Sequence, residues 1–380
     1  MKEKRMYIFV HGLAGWGSYD AAYKRMPYWG MLGGDLTAYL QNEGYDAYAA
    51  SVAPNGSAWD RACELYAQLA GTVTDYGKAH SERYGHARFG RDYSREPLIP
   101  TFRDRKLVLF GHSFGGATIR LFAELMNRGD AVEREASEGE GISDLFTGGM
   151  GNRIHAVVTL AAPHNGTTAY DLHEDPAFDP EAVRVSLASR IGGMLLSKGT
   201  KCPASLHPED CAAYDMHIDN AFALNRRIAL YPETYYFSVP YSCTQMNDEG
   251  YHVPVRKKME PHMIKASCQI GCYQGISHGG VILDETWREN DGLVNTISEK
   301  APMTDPSRKF DPSVSGNTEY IFGISYSIAG QNKPPKTVSC MRPSQTTILA
   351  ECRATAAAQY GLGADRRAWF VQHQNKACFS

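Results

Sequence analysis

Residues 106–116, KLVLFGHSFGG, constrain this chain more than any other stretch. An apolar run, Leu107-Val108-Leu109-Phe110, leads into Gly111-His112-Ser113-Phe114-Gly115, and ATIRLFAELMNRG behind it reads as a helix ending at Gly129. Strand, G-x-S-x-G turn and helix in that order are the setting of a nucleophile elbow, with the Ser113 hydroxyl exposed at the carboxyl edge of a sheet. Gly111 and Gly115 are required because a side chain would clash where strand and helix fold close together. The same string arises by chance in glycine-rich loops, so its flanks are what favour the functional reading.

Around this turn the chain alternates apolar strands with helical segments. MYIFV (6–10), YAASV (48–52), RIHAVVTLA (153–161) and TYYFSV (234–239) read as buried strands, and DLTAYLQNE (35–43) and the stretch from Ser57 to Gly71 as helices. Such alternation predicts an α/β protein, a mostly parallel sheet with helices on both faces, and with the elbow an α/β-hydrolase fold. A net charge of −3 over 380 residues leaves no nucleic-acid footprint, and no apolar run is long enough to span a bilayer. The amino terminus enters a strand at once and shows no signal peptide, which predicts either a cytoplasmic protein or one whose leader lies outside this sequence. Nine cysteines leave at least one unpaired, and local pairs such as Cys202 with Cys211 or Cys268 with Cys272 are open.

Three further stretches carry candidate chemistry. His11-Gly12-Leu13-Ala14-Gly15-Trp16-Gly17 follows the first strand, where an α/β-hydrolase places half of its oxyanion hole. The backbone N–H of Leu13 is the natural donor, paired with that of Phe114, and His11 reads as a packed structural histidine. Asp60 opens a helix, where its plain role is a first-turn carboxylate. His80 and His86 follow in a polar stretch, and their spacing alone is a weak metal signal. Asn290-Asp291-Gly292 is a turn signature in its own right, and Asp291 also stands where the acid of a Ser, Asp, His order belongs. His373 is the only histidine after Asp291 and becomes the base by elimination.

Several of these segments together resemble the thermoalkaliphilic, zinc-containing lipases of bacilli, related to staphylococcal lipases. The resemblance rests on HGLAGWG, WDRACELYAQL, DYGKAH, GHARFGR, AAPHNGTT and WRENDGLVNTIS, and covers roughly residues 6–300. It implies a carboxylic-ester hydrolase of the triacylglycerol lipase or esterase type, acting on ester or lipid substrates through Ser113 and Asp291; His373 is added as the base by elimination alone. It also implies a structural Zn²⁺ held by Asp60, His80, His86 and Asp210, with Cys63 outside the ligand set, and an extracellular setting. One hydrolase domain (1–317) is expected, with a zinc-binding subdomain at about 57–90, a cap or lid at about 171–215, and a divergent tail at 318–380.

The chain departs from the family pattern at three places. Phe114 stands where glutamine is common, which spares the hole because only the backbone donates there. A shorter cap predicts an open pocket suited to short or bulky esters, polyesters included. Past about residue 317 the segment bearing the base and calcium ligands is not recognisable, so no calcium site is expected. The alternatives are a hydrolase-fold scaffold impaired for want of a proper histidine, and an enzyme acting on other acyl bonds.

Overall fold

The computed structural model describes residues 5–102, 105–138, 140–172, 201–309 and 322–324. A seven-stranded parallel sheet runs through it in the order β12-β13-β7-β6-β5-β1-β2. Its strands are β1 (Arg5–Val10), β2 (Asp46–Ala50), β5 (Lys106–His112), β6 (Ile154–Leu160), β7 (Tyr235–Val239), β12 (Ser307–Lys309) and β13 (Phe322–Ile324). Three two-stranded ribbons stand outside the sheet: β3 (Val73–Asp75) with β4 (Phe89–Asp92), β8 (Thr244–Met246) with β9 (His252–Pro254), and β10 (Gly275–Ile276) with β11 (Ile282–Leu283). β13 lies past residue 317, where the sequence resemblance stops. Residues 173–200 of the expected cap, and nearly all of the tail including His373, lie outside the described residues.

Burial on both sides explains why the sheet strands read as unbroken apolar runs rather than alternating ones. Met6, Ile8 and Val10 of β1 and Leu107 and Leu109 of β5 join one core cluster; Tyr7, Phe9, Val108 and Phe110 join the opposite one. Phe9 and Phe110 are register partners and stack with ring centroids 4.8 Å apart. The first cluster is covered by α2 (Ala58–Ala70) and α4 (Gly115–Arg128), the second in part by α1 (Leu36–Asn42). Helix α1 begins where Asp35 accepts from the Thr37 and Ala38 amides, and α2 where Ser57 accepts from Asp60 N–H. Among the described residues no helix is long and apolar enough to cross a membrane.

Candidate active site and metal centre

Ser113 follows β5 directly, at a φ of 53°, inside the left-handed region. A non-glycine residue there costs on the order of 1–3 kcal/mol, strain that clusters where a side chain must be presented. The turn is held by Ser113 N–H donating to Leu160 O (2.8 Å) and Gly116 N–H donating to Ser113 O (2.9 Å). A Cβ on Gly111 would overlap the Gly115 carbonyl, and one on Gly115 the Val10 carbonyl, so both must be glycine. Phe114 is the N-cap of helix α4, and its side chain makes no capping hydrogen bond.

The loop after β1 abuts this turn: a Cβ on Gly12 would lie 2.9 Å from Ser113 Cβ. Neither Leu13 N–H nor Phe114 N–H meets an acceptor among the described residues. Three side chains brace the loop. Tyr28 Oη accepts from Gly12 N–H (3.0 Å) and lies 2.6 Å from His112 Nδ1, linking loop to elbow. Burial pushes the His112 imidazole down to about 4, so the ring is neutral. His11 is buried, donating from Nδ1 to Gly12 O (2.8 Å) and accepting Val52 N–H at Nε2 (3.3 Å). Burial and the nearby Arg61 charge hold its imidazole down to about 3, as a packed structural histidine requires. Arg61, 0% exposed, donates to the His11 carbonyl and to Gly12 O (3.3 Å), with its guanidinium 5.0 Å over the Phe114 ring.

Asp291 sits in a turn docked on the loop after β6. Its Oδ1 accepts from the Leu293 and Val294 amides, both at 2.9 Å, so the turn expected of Asn-Asp-Gly is present. Thr167 Oγ1 donates to Leu293 O (2.6 Å) and Thr168 N–H to Asn295 Oδ1 (2.9 Å), tying this turn to the strand next to β5. Burial raises the Asp291 carboxyl above its usual range, with the two amides opposing.

Asp60, His80, His86 and Asp210 converge, with one ligand atom from each lying within 4.8 Å of the others. His80 Nε2 is 3.1 Å from Asp60 Oδ1 and 3.3 Å from Asp210 Oδ1; His86 Nε2 is 3.4 Å from Asp210 Oδ2. Asp60 comes from α2 and His80 from α3 (Lys78–Tyr84), whose first turn is capped by Glu133 accepting from Ala79 and His80 N–H. Asp210 is placed by strand-like pairing of Cys211 with Gly56 and by Ala212 N–H donating to Asn55 O (3.0 Å). His86 Nδ1 lies 2.9 Å from Ala87 O, while its buried Nε2 has no hydrogen-bond partner. Donation from Nδ1 to the carbonyl leaves Nε2 as a bare lone pair facing the carboxylates, the usual preparation of a ligating histidine. The four residues therefore fit a metal ion. Cys63, one turn along α2, is buried in the core and is not among them.

The sequence motifs did not single out Tyr28, Arg61 or Glu133. Each acts mainly on backbone groups, and only Arg61 lies inside a distinctive string, WDRACE.

A family model described as the C-terminal domain of lipase-like proteins matches residues 3–207. Over 336 residues the chain is 33% identical to the lipase of Staphylococcus hyicus, covering 82% of this chain and 50% of that protein. The chain belongs to the lipase family. This lipase-family chain is also 33% identical over 328 residues to lipase 2 of Staphylococcus aureus, covering 79% of the chain and 45% of the relative. It spans about half the length of the curated relatives it matches. Among solved structures, Staphylococcus hyicus lipase superposes with a TM-score of 0.72 at 28% identity, covering 93% of this chain and 97% of that one. EstA from Clostridium botulinum gives 0.72 at 26%, covering 98% and 86%. Lipase 1 from Pelosinus fermentans gives 0.68 at 25%, covering 100% and 99%. The expected kinship with staphylococcal lipases and the hydrolase fold are both met.

Proposed function

We propose that this lipase-family chain is a carboxylic-ester hydrolase of the lipase or esterase type, with Ser113 as nucleophile. The observation that carries the reading is the strained Ser113 turn, abutted by a braced loop, with the Leu13 and Phe114 amides lacking acceptors. Ser113 Oγ attacks the ester carbonyl carbon, and the two N–H groups receive the oxyanion; donors of this kind are worth about 3 kcal/mol each. His373 takes the serine proton and returns it to the departing alcohol, and Asp291 orients that imidazole. Water then releases the acid from the acyl-serine by the same path. Kinship with lipases supports an ester of a lipid as substrate, and an extracellular setting rests on the sequence resemblance.

For the metal cluster we propose Zn²⁺ in a structural role. Two histidines and two carboxylates form a closed set of four protein ligands that suits zinc and leaves no position for substrate. Bound there, the ion would tie α2, α3 and the Asp210 segment together; calcium has no assigned place. The same α2 carries Arg61 to the loop beside Ser113, so metal and loop share one rigid element.

The test is Ser113→Ala assayed on p-nitrophenyl butyrate, with circular dichroism to verify folding. Loss of turnover in a folded variant supports the reading; retained turnover ends it. A wild-type chain with no turnover on any ester favours the impaired scaffold instead.

A further inference from the structure

Cys202 and Cys211 bracket a short loop whose penultimate residue is Asp210 of the metal cluster. Cys211 is 1% exposed and Cys202 half-buried, and both are free thiols. Their sulfurs rest against successive carbonyls, Cys202 Sγ 3.7 Å from His207 O and Cys211 Sγ 3.4 Å from Pro208 O. Cys202 lies close enough to act on the Cys211 thiol, which burial first and Cys202 second push up. The Cys211 end is anchored by its pairing with Gly56 and by the Ala212–Asn55 bond, just ahead of α2. Within the loop, Asp210 N–H turns back onto His207 O (2.9 Å). Cys63, Cys268 and Cys272 offer no comparable opportunity. Cys268 and Cys272 lie one turn apart on a single helix (Ile264–Cys272), where a bridge would join nothing the helix does not already hold, and Cys63 lies in the core.

We propose that Cys202 and Cys211 form a reversible disulfide that clamps the Asp210 loop against the metal cluster. The oxidant is a small-molecule disulfide. The Cys202 thiolate, the more accessible, attacks one of its sulfurs, breaking that S–S bond and expelling one thiolate. The Cys211 thiolate then attacks the Cys202 sulfur of the mixed disulfide, forming the internal bond and expelling the second thiolate. Two protein thiols thus lose two electrons and two protons, and the small disulfide leaves as two thiols. The clamping function rests on the metal reading of Asp210; the cross-link itself does not. Restraints on a metal ligand from its outer shell are worth about tenfold in retention of the ion.

The experiment uses the full chain loaded with zinc, incubated with oxidised glutathione or with a reductant. It is followed by non-reducing peptide mapping and by the rate of zinc transfer to a chromogenic chelator. Expected are a peptide joining Cys202 to Cys211, transfer about tenfold slower in the oxidised protein, and no such difference in Cys202→Ser or Cys202→Ala. A stable glutathione adduct on Cys202 without the cross-link overturns the proposal. A cross-link that leaves the transfer rate unchanged overturns the clamp. A cross-link in a chain that retains no zinc overturns the metal reading and the clamp with it, while the disulfide stands.

Discussion

Replacing Tyr28 with phenylalanine removes one oxygen that serves two partners. Gly12 N–H donates to it at 3.0 Å and His112 Nδ1 lies 2.6 Å away. Two net hydrogen bonds are worth about 1 kcal/mol each, and a buried amide left without an acceptor costs about 1–3 kcal/mol more. Tyr28→Phe should therefore destabilise the protein by about 3–5 kcal/mol, read as a lower urea midpoint at unchanged slope. The ring itself stays, so its packing against Trp16 and Trp29 is kept. Gly12 adjoins Leu13, whose amide we assign to the oxyanion, so kcat on p-nitrophenyl butyrate should fall about tenfold or more with KM little changed. A variant within about 0.5 kcal/mol of wild type, at full kcat, would refute the view that this hydroxyl holds loop and elbow together.

Three further outcomes follow from the geometry. Gly115→Ala drives a methyl into the Val10 carbonyl and should cost several kcal/mol, about 3 or more, appearing as insoluble or sharply less stable protein; normal stability would mean the elbow is looser than described. His86→Ala, or zinc withdrawal by a chelator, should lower the melting temperature by several degrees, since an ion at a thousand times its Kd contributes about 4 kcal/mol; elemental analysis near one zinc per wild-type chain must accompany that result. Acid should unfold the chain through His11 and His112. Their folded values of about 3 and about 4 lie below the ordinary 6.5. The unfolded chain therefore binds protons the folded one refuses, and stability falls as pH drops from 6.5 toward 4, at about 1.4 kcal/mol per pH unit for each histidine. Stability flat across that range would contradict the neutral, buried state of both rings.

The elbow was legible because its chemistry is local. Gly111, Ser113 and Gly115 are demanded by a single turn, and the apolar run before it marks a strand buried on both faces. The metal cluster was not legible from spacing. Asp60, His80, His86 and Asp210 come from two helices, a turn and a distant loop, so no period connects them, and only the resemblance of whole strings suggested the set. Tyr28 and Arg61 escaped for another reason. A tyrosine or arginine that satisfies backbone groups in the interior looks in sequence like any surface polar residue, and only burial reveals it. Asp291 carried two readings, and its turn geometry is compatible with both.

Whether Ser113 is an activated nucleophile is tested most directly by a fluorophosphonate probe. We expect rapid stoichiometric labelling of the wild-type chain, mapped by mass spectrometry to the peptide holding Ser113, and no labelling of Ser113→Ala. Labelling elsewhere, or a folded wild-type chain whose Ser113 stays unmodified, would contradict the account.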